Sequence, residues 1–302
     1  MNRNVSARAL AALALCAIAF LGAAPARAQL DRTAVSFHGS DANSCAPAAP
    51  CRSFARAMSQ TNANGELLVL DSAGYGPFTI DRSVSIQAAP GVYAGVTAAS
   101  GYAVYLSLPA SGKAVIRGLT LEGLGTGTAG IYGFAGIVHI ENCVVNGFVS
   151  GIVVGGYTAT ISDTEVRNNT TNGIIVANAG NRAILERVRI KNNGTWGLIV
   201  QDSAKATIRN SVVSGHFGGL LAVFNGTLHV ENSESTRNTS GILSDSGGTA
   251  RISNTFVTDN SSTGLRNDNN GTMESWQNNK VRGNLSDFGS GTGGVLTNLS
   301  QQ

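Results

Sequence analysis

The residues in this chain best suited to acid–base chemistry are Asp245 and Asp268, which lie 23 positions apart. Each follows a glycine by four residues, Gly241 and Gly264. If the chain returns on itself once per interval, the two carboxylates stack on adjacent turns, about 5 Å apart. Paired carboxylates at that separation suit glycoside chemistry or a Ca²⁺ site. Arg266 sits beside them, so a solvated, partly neutralised surface pair is the favoured reading. His216, in Gly215-His216-Phe217-Gly218, is a second candidate for proton transfer, and Cys143 with His139 is a weaker candidate for a thiol–imidazole pair. Gly125-Thr126-Gly127-Thr128-Ala129-Gly130 fits the GxGxxG pattern, but that pattern binds nucleotides only between a strand and a helix, and no helical pattern follows it. There is no HExxH, no nucleophile elbow and no paired CxxC. No motif establishes catalysis, so Asp245, Asp268 and His216 stand as candidates only, with no cofactor beyond the Ca²⁺ that the aspartates could hold.

The elements that would position these residues repeat. Gly130, Gly151, Gly173, Gly197, Gly219, Gly241, Gly264 and Gly289 are spaced by 21, 22, 24, 22, 22, 23 and 25 residues, and an aliphatic residue follows every one except the last. A second register runs through Ile116, Ile140, Ile161, Leu185, Ile208, Val230, Ile252 and Trp276. A third, five residues later, runs through Leu121, Val145, Val166, Ile190, Val213, Ser235, Val257 and Val281, broken only by Ser235. Apolar and polar residues alternate within each short segment, as in Thr160-Ile161-Ser162, and Gly and Asn punctuate them. An interval of this length has room for three strands and their turns but not for two helices. Each interval is therefore one coil of three strands.

Asparagine marks the corners. One row is Asn142, Asp163, Arg187, Asn210, Asn232, Asn254 and Asn278; another is Phe148, Asn169, Asn193, His216, Asn238, Asn260 and Asn284. Asn tolerates the left-handed backbone of a sharp corner, and its amide can bond to its counterpart one coil away. On these ladders and the three registers, the chain resembles the right-handed parallel β-helices of the pectin-lyase-like superfamily over roughly residues 40–290. The resemblance implies an all-β, right-handed parallel β-helix of three-stranded coils, about nine or ten of them. Its right hand follows from the family and from the general preference for right-handed crossovers. Within that family, His216 is similar to the His of the Gly-His-Gly segment in polygalacturonase-like members, but Phe217 replaces the second glycine and the partner acidic segments are missing. His216 also occupies a rung of the Asn ladder, which favours a structural role.

The ends differ from the repeat. Residues 1–28 read as a secretory signal peptide: Arg3 and Arg8, an apolar run from Ala9 to Ala23, and Ala26-Arg27-Ala28 before Gln29. This implies a secreted or periplasmic protein. Residues 29–65 form an N-terminal cap. Within it Cys45 and Cys51 are expected to pair in an oxidising compartment, and Phe54, Ala57 and Met58 fall on one helical face that would lid the first coil. Residues 66–289 are the β-helix, with a longer loop around Pro90–Gly101, and 290–302 a tail that folds over the last coil or frays. Cys143 aligns with Thr164, Val188, Ser211, Ser233 and Thr255, as a small buried thiol would. Without residues 1–28, which carry three Arg and no acid, 18 basic and 18 acidic residues remain from totals of 21 and 18. The balance offers no basic face for nucleic acid and no attraction to an anionic membrane.

One surface row is apolar. Two positions after the coil glycines lie Tyr132, Val153, Ile175, Ile199, Leu221, Leu243 and Arg266, outward by strand parity. Five aliphatics in line mark an interface through Val153, Ile175, Ile199, Leu221 and Leu243, with a second copy of the chain in a homo-oligomer, the C-terminal tail or the loop around 90–101 as its partner, unless the parity is off by one and the row is core. Tyr132 and Phe134 alone are too few for an aromatic sugar groove. The superfamily resemblance implies an exported protein that interacts with extracellular or envelope polysaccharide. The missing catalytic constellation points instead to a non-enzymatic adhesin or structural rod, and Asp245 with Asp268 to a polysaccharide lyase or glycoside hydrolase.

Overall fold

The structure, a computed structural model, describes residues 29–291 and 295–299. The segment read as a signal peptide lies outside the described residues. The chain forms a right-handed parallel β-helix of about ten turns, with one short helix. Three parallel sheets run its length. The first has 12 strands among the described residues, from Leu30–Val35 to Val295–Leu299. At about 4.8 Å per step the rod is roughly 50 Å long. The second sheet contains short strands such as Glu165–Arg167 and Arg189–Lys191, and the third contains five-residue strands such as Asn172–Val176 and Trp196–Val200.

Inward alternation builds the core. Ala159 and Ile161 of strand Thr158–Ser162 are fully buried while Thr158 faces solvent. The third register stacks in line, Val145 on Val166, Ile190, Val213, Ser235, Val257 and Val281. Ser235 keeps its place because its hydroxyl donates to Gly241 O at 2.9 Å, which satisfies a polar group that burial would otherwise penalise. One continuous apolar cluster extends from Val35 to Met273.

The corners explain the punctuation. Asn142, Asp163, Arg187, Asn210, Asn232 and Asn254 all have φ between 45° and 52°. This is the left-handed region, where Asn and Asp are tolerated best. Arg187 is the exception in kind, and its guanidinium grips Asp163 one coil away at 2.7 and 2.8 Å. At the next corner the inner ladder forms, but not amide to amide throughout. Each side chain accepts mainly from a backbone N–H of the preceding coil: Asn169 Oδ1 from Phe148, Asn193 Oδ1 from Asn169, Asn238 Oδ1 from His216, Asn260 Oδ1 from Asn238. The coil glycines are needed for space. A Cβ on Gly151 would lie 2.4 Å from Val166 Cγ1 and 2.5 Å from Gly173 O, closer than any real contact.

The ends and the irregular coils depart from the sequence reading. Leu30–Val35 is not outside the repeat: it pairs in parallel with Thr61–Val69. The Pro90–Gly101 stretch contains the strand Ala94–Thr97, with Tyr102–Leu106 close behind it. In the last coil the second register slips by one residue and the glycine register by two. Ser275, not Trp276, stacks on Ile252, and Phe288 stacks on Leu265 while Gly289 lies beside Arg266. Val295–Leu299 adds a strand to the first sheet against Thr272–Trp276 rather than folding over the last coil.

Helix α1 (Phe54–Gln60) buries Phe54, Ala57 and Met58. Ser53 caps it by accepting the Arg56 N–H, and Phe54 stacks on Phe78 at 4.4 Å. Cys45 and Cys51 are joined by a disulfide. Their loop bonds to the outer edge of the first strand, Ala34 N–H to Cys45 O and Ser36 N–H to Cys51 O. An edge that would otherwise be open is thus partly paired.

Candidate functional site

The outer face of the third sheet carries the apolar row. Tyr105, Tyr132, Val153, Ile175, Ile199, Leu221, Leu243 and Arg266 stack in unbroken register. Ile199, Leu221 and Val223 form a cluster separate from the main core, with Trp196 and Leu243 packed on it. The middle of the row is therefore less open than a bare stripe, with Ile199 and Leu221 each 8% exposed. Gly218 allows this: a Cβ there would lie 2.0 Å from the Trp196 ring, so the indole lies across the glycine.

At the N-terminal end of this face four aromatic rings gather. Tyr132 stacks on Tyr102 at 4.5 Å between centroids, lies 6.3 Å from Tyr105, and meets Phe134 edge-on at 4.9 Å. Phe134 is 55% exposed, and all three tyrosines are partly exposed. Burial, then the neighbouring Tyr102 and Tyr105, push the Tyr132 phenol up from its usual value, so it stays a neutral hydroxyl. Two tyrosines had no place in the sequence registers because their coil is 30 residues long between Ile86 and Ile116, which the structure pairs directly. The available signal was the pair Tyr102 and Tyr105, placed before Leu106 as Tyr132 is before Gly133. A packed cluster of rings that reaches solvent and is edged with hydroxyls suits a ligand with an apolar face and a polar rim.

The acidic pair sits at the other end. Asp245 and Asp268 follow strands Ser240–Ser244 and Thr263–Asn267 on adjacent coils, in line as expected. They are not the solvated surface pair expected: Asp268 is buried, 7% exposed, and its Oδ1 has no hydrogen-bond partner among the described residues. Asp268 Oδ2 is bound by Arg266 Nε at 2.6 Å, and Asp245 Oδ1 accepts from Asn269 Nδ2 at 2.9 Å. Among the described residues no three His, Cys, Asp or Glu side chains converge to hold a metal.

His216 is 4% exposed inside the ladder. Its Nδ1 accepts the Asn193 N–H at 3.0 Å and its Nε2 lies 3.1 Å from Ile190 O, which fixes the tautomer with the proton on Nε2. Burial pushes the imidazole below its ordinary range, against the two backbone bonds that raise it. Neither nitrogen is left for substrate. Cys143 is buried and its thiol is pushed up to about 11 by desolvation. His139 belongs to an outer row with Val115 and Thr160, on the opposite side of the sheet from the buried thiol. Gly125–Gly130 lies within strand Leu119–Gly133, where no phosphate-binding helix begins.

Comparison with known proteins bears on the fold. The family described as right handed beta helix region matches residues 128–286. A search of curated proteins finds no match. Among solved structures, pectate lyase Pel9A is 16% identical, covers 91% of this chain and 79% of its own, and superposes with a TM-score of 0.56. An alginate lyase from Paenibacillus sp. str. FPU-7 is 13% identical, covers 89% of this chain and 100% of its own, and has a TM-score of 0.64. At such identities the likeness is one of architecture. With more than half of its residues matched, 128–286, the chain belongs to the right-handed beta helix family.

Proposed function

We propose that this is an exported protein that binds polysaccharide along the outer face of its third sheet, with Tyr102, Tyr105, Tyr132 and Phe134 as the stacking platform. The observation that carries the reading is this group of mutually stacked, solvent-reaching rings. A pyranose ring has one face of C–H bonds, which are attracted to the negative face of an aromatic ring, while its hydroxyls reach tyrosine O–H groups at the edge. Val153 and Ile175, partly exposed beside the platform, lengthen the contact. The solved structures of similar fold include lyases named for pectate and alginate, both polysaccharides, which agrees with this direction. The disulfide agrees with an oxidising compartment. Binding rather than cleavage is favoured because Asp268 is buried and ion-paired to Arg266 through Oδ2, and Asp245 is bonded by Asn269.

The test is gel filtration of the protein with acidic and neutral polysaccharides, with and without Ca²⁺. Co-elution with polymer of unchanged size is expected, and Tyr132→Ala should weaken it roughly tenfold while circular dichroism stays that of the parent. Shortened polymer would make the protein an enzyme and return attention to the aspartates. No co-elution with any polymer would leave the adhesin or structural rod.

A further inference from the structure

The slip in the last coil has moved a tryptophan from the interior to the surface. Ser275 takes the inward place, so Trp276 falls in the outward row below Ser253 and Glu231. Ser253 is small, and the indole borders a cleft of about 320 Å³ with His229, Glu231, Arg251, Ser253 and Asn278 around it. This cleft is on the first sheet, a different face from the aromatic platform. Its volume falls at the lower end of the range for small-molecule sites, about 300–1,000 Å³.

The rim alternates in hydrogen-bonding character. Glu231 can only accept, Arg251 can only donate, and Asn278 and Ser253 do both. Arg251 is held in place by Glu274, Nε to Oε2 at 2.5 Å. Desolvation and Arg251 hold the His229 imidazole below its usual range, so it is neutral at pH 7 and offers one donor and one acceptor. Arg209 lies beside Glu231 on the neighbouring strand but pairs with Glu186, and Arg251 pairs with Glu274, so Glu231 lines the cleft outside these ion pairs. An indole at the cleft and a rim of donors and acceptors select a ligand with an apolar face and the complementary hydroxyl pattern.

We propose that this cleft is a second saccharide site, which seats one uncharged pyranose ring on Trp276 with its hydroxyls on Glu231, Arg251 and Asn278. A uronate fits less well, since Arg251 already has its carboxylate partner in Glu274 and Glu231 would face the added negative charge. The site is independent of the platform on the third sheet, and the two readings fail separately.

The chain has two tryptophans, so a Trp196→Phe background leaves Trp276 as the sole indole reporter. Its emission is titrated with methyl glucoside, methyl galactoside and methyl mannoside, with glucuronate as the anionic control. The expected result is a saturable emission change with at least one neutral glycoside, weakened roughly tenfold or more by Glu231→Ala and by Asn278→Ala. The change should persist when Tyr132→Ala removes the first site. Flat titrations with all three neutral sugars, a response to glucuronate alone, or a response that survives both rim substitutions would overturn the assignment.

Discussion

At the scale of single residues, the side chains with the most reactive chemistry turn out to serve the frame. His216 is the clearest case, since both ring nitrogens are used by the backbone of neighbouring coils. Its imidazole titrates below the ordinary 6.5 because burial outweighs the two hydrogen bonds. The folded state therefore takes up the proton less readily than the unfolded chain. The stability tied to this group is present in full above 6.5 and is lost as pH falls below that toward the folded value. Urea unfolding of the parent and of His216→Asn at about pH 8 and about pH 5 should show the larger fall in midpoint for the parent. His229, also depressed, is common to both proteins and cancels in the difference. A role in proton transfer to substrate would have required a free nitrogen, and the ladder leaves none.

At the scale of the coil and its corners, space is the limiting quantity. A Cβ on Gly197 would lie 2.5 Å from Val213 Cγ1, 2.6 Å from Gly219 O and 2.9 Å from His216 Cδ2. Gly197→Ala should cost about 1–3 kcal/mol in chemical denaturation. Gly155→Ala, whose Cβ would meet nothing nearer than Gly133 O at 3.6 Å, should stay within about 0.5 kcal/mol. This element was the most legible part of the sequence. Stacking forces each inward position to recur once per coil, so Val145, Val166, Ile190 and Val213 announce their own neighbours. What stayed hidden is what does not recur. Trp276 is apolar and close to the expected spacing, and apolarity alone cannot say on which face of a strand a residue lies; the small Ser275 beside it decides that. Tyr102 and Tyr105 were lost because an enlarged coil interrupts the count, and only the pairing of Tyr105 with Tyr132 restores it. The hold of Arg266 on Asp268 depends on rotamers that spacing does not reveal.

At the scale of the whole molecule, the rod is one core wrapped by three sheets, with few net charges to direct it. Residues 29–302 carry 18 cations and 18 anions, after subtracting three Arg and no acids of residues 1–28 from 21 and 18. Many of these pair between coils, as Arg117 with Glu141 and Arg187 with Asp163 do. Neither proposed saccharide face relies on an ion pair with its ligand. Polysaccharide affinity should therefore change less than about twofold between roughly 0.05 and 0.5 M salt, where a charge-driven contact would weaken steeply. Isothermal titration at the two salt levels checks this. The direction of the backbone hydrogen bonds has a mechanical consequence. They run from coil to coil along the rod, and the first and last strands lie at opposite ends. A pull on the two chain ends loads each coil's bonds one after another, as in opening a zipper, instead of shearing a sheet all at once. A 22-residue coil released in this way pays out roughly 75 Å of chain, so the rod stretches as a series of small yielding links and takes up strain without losing the coils that remain wound.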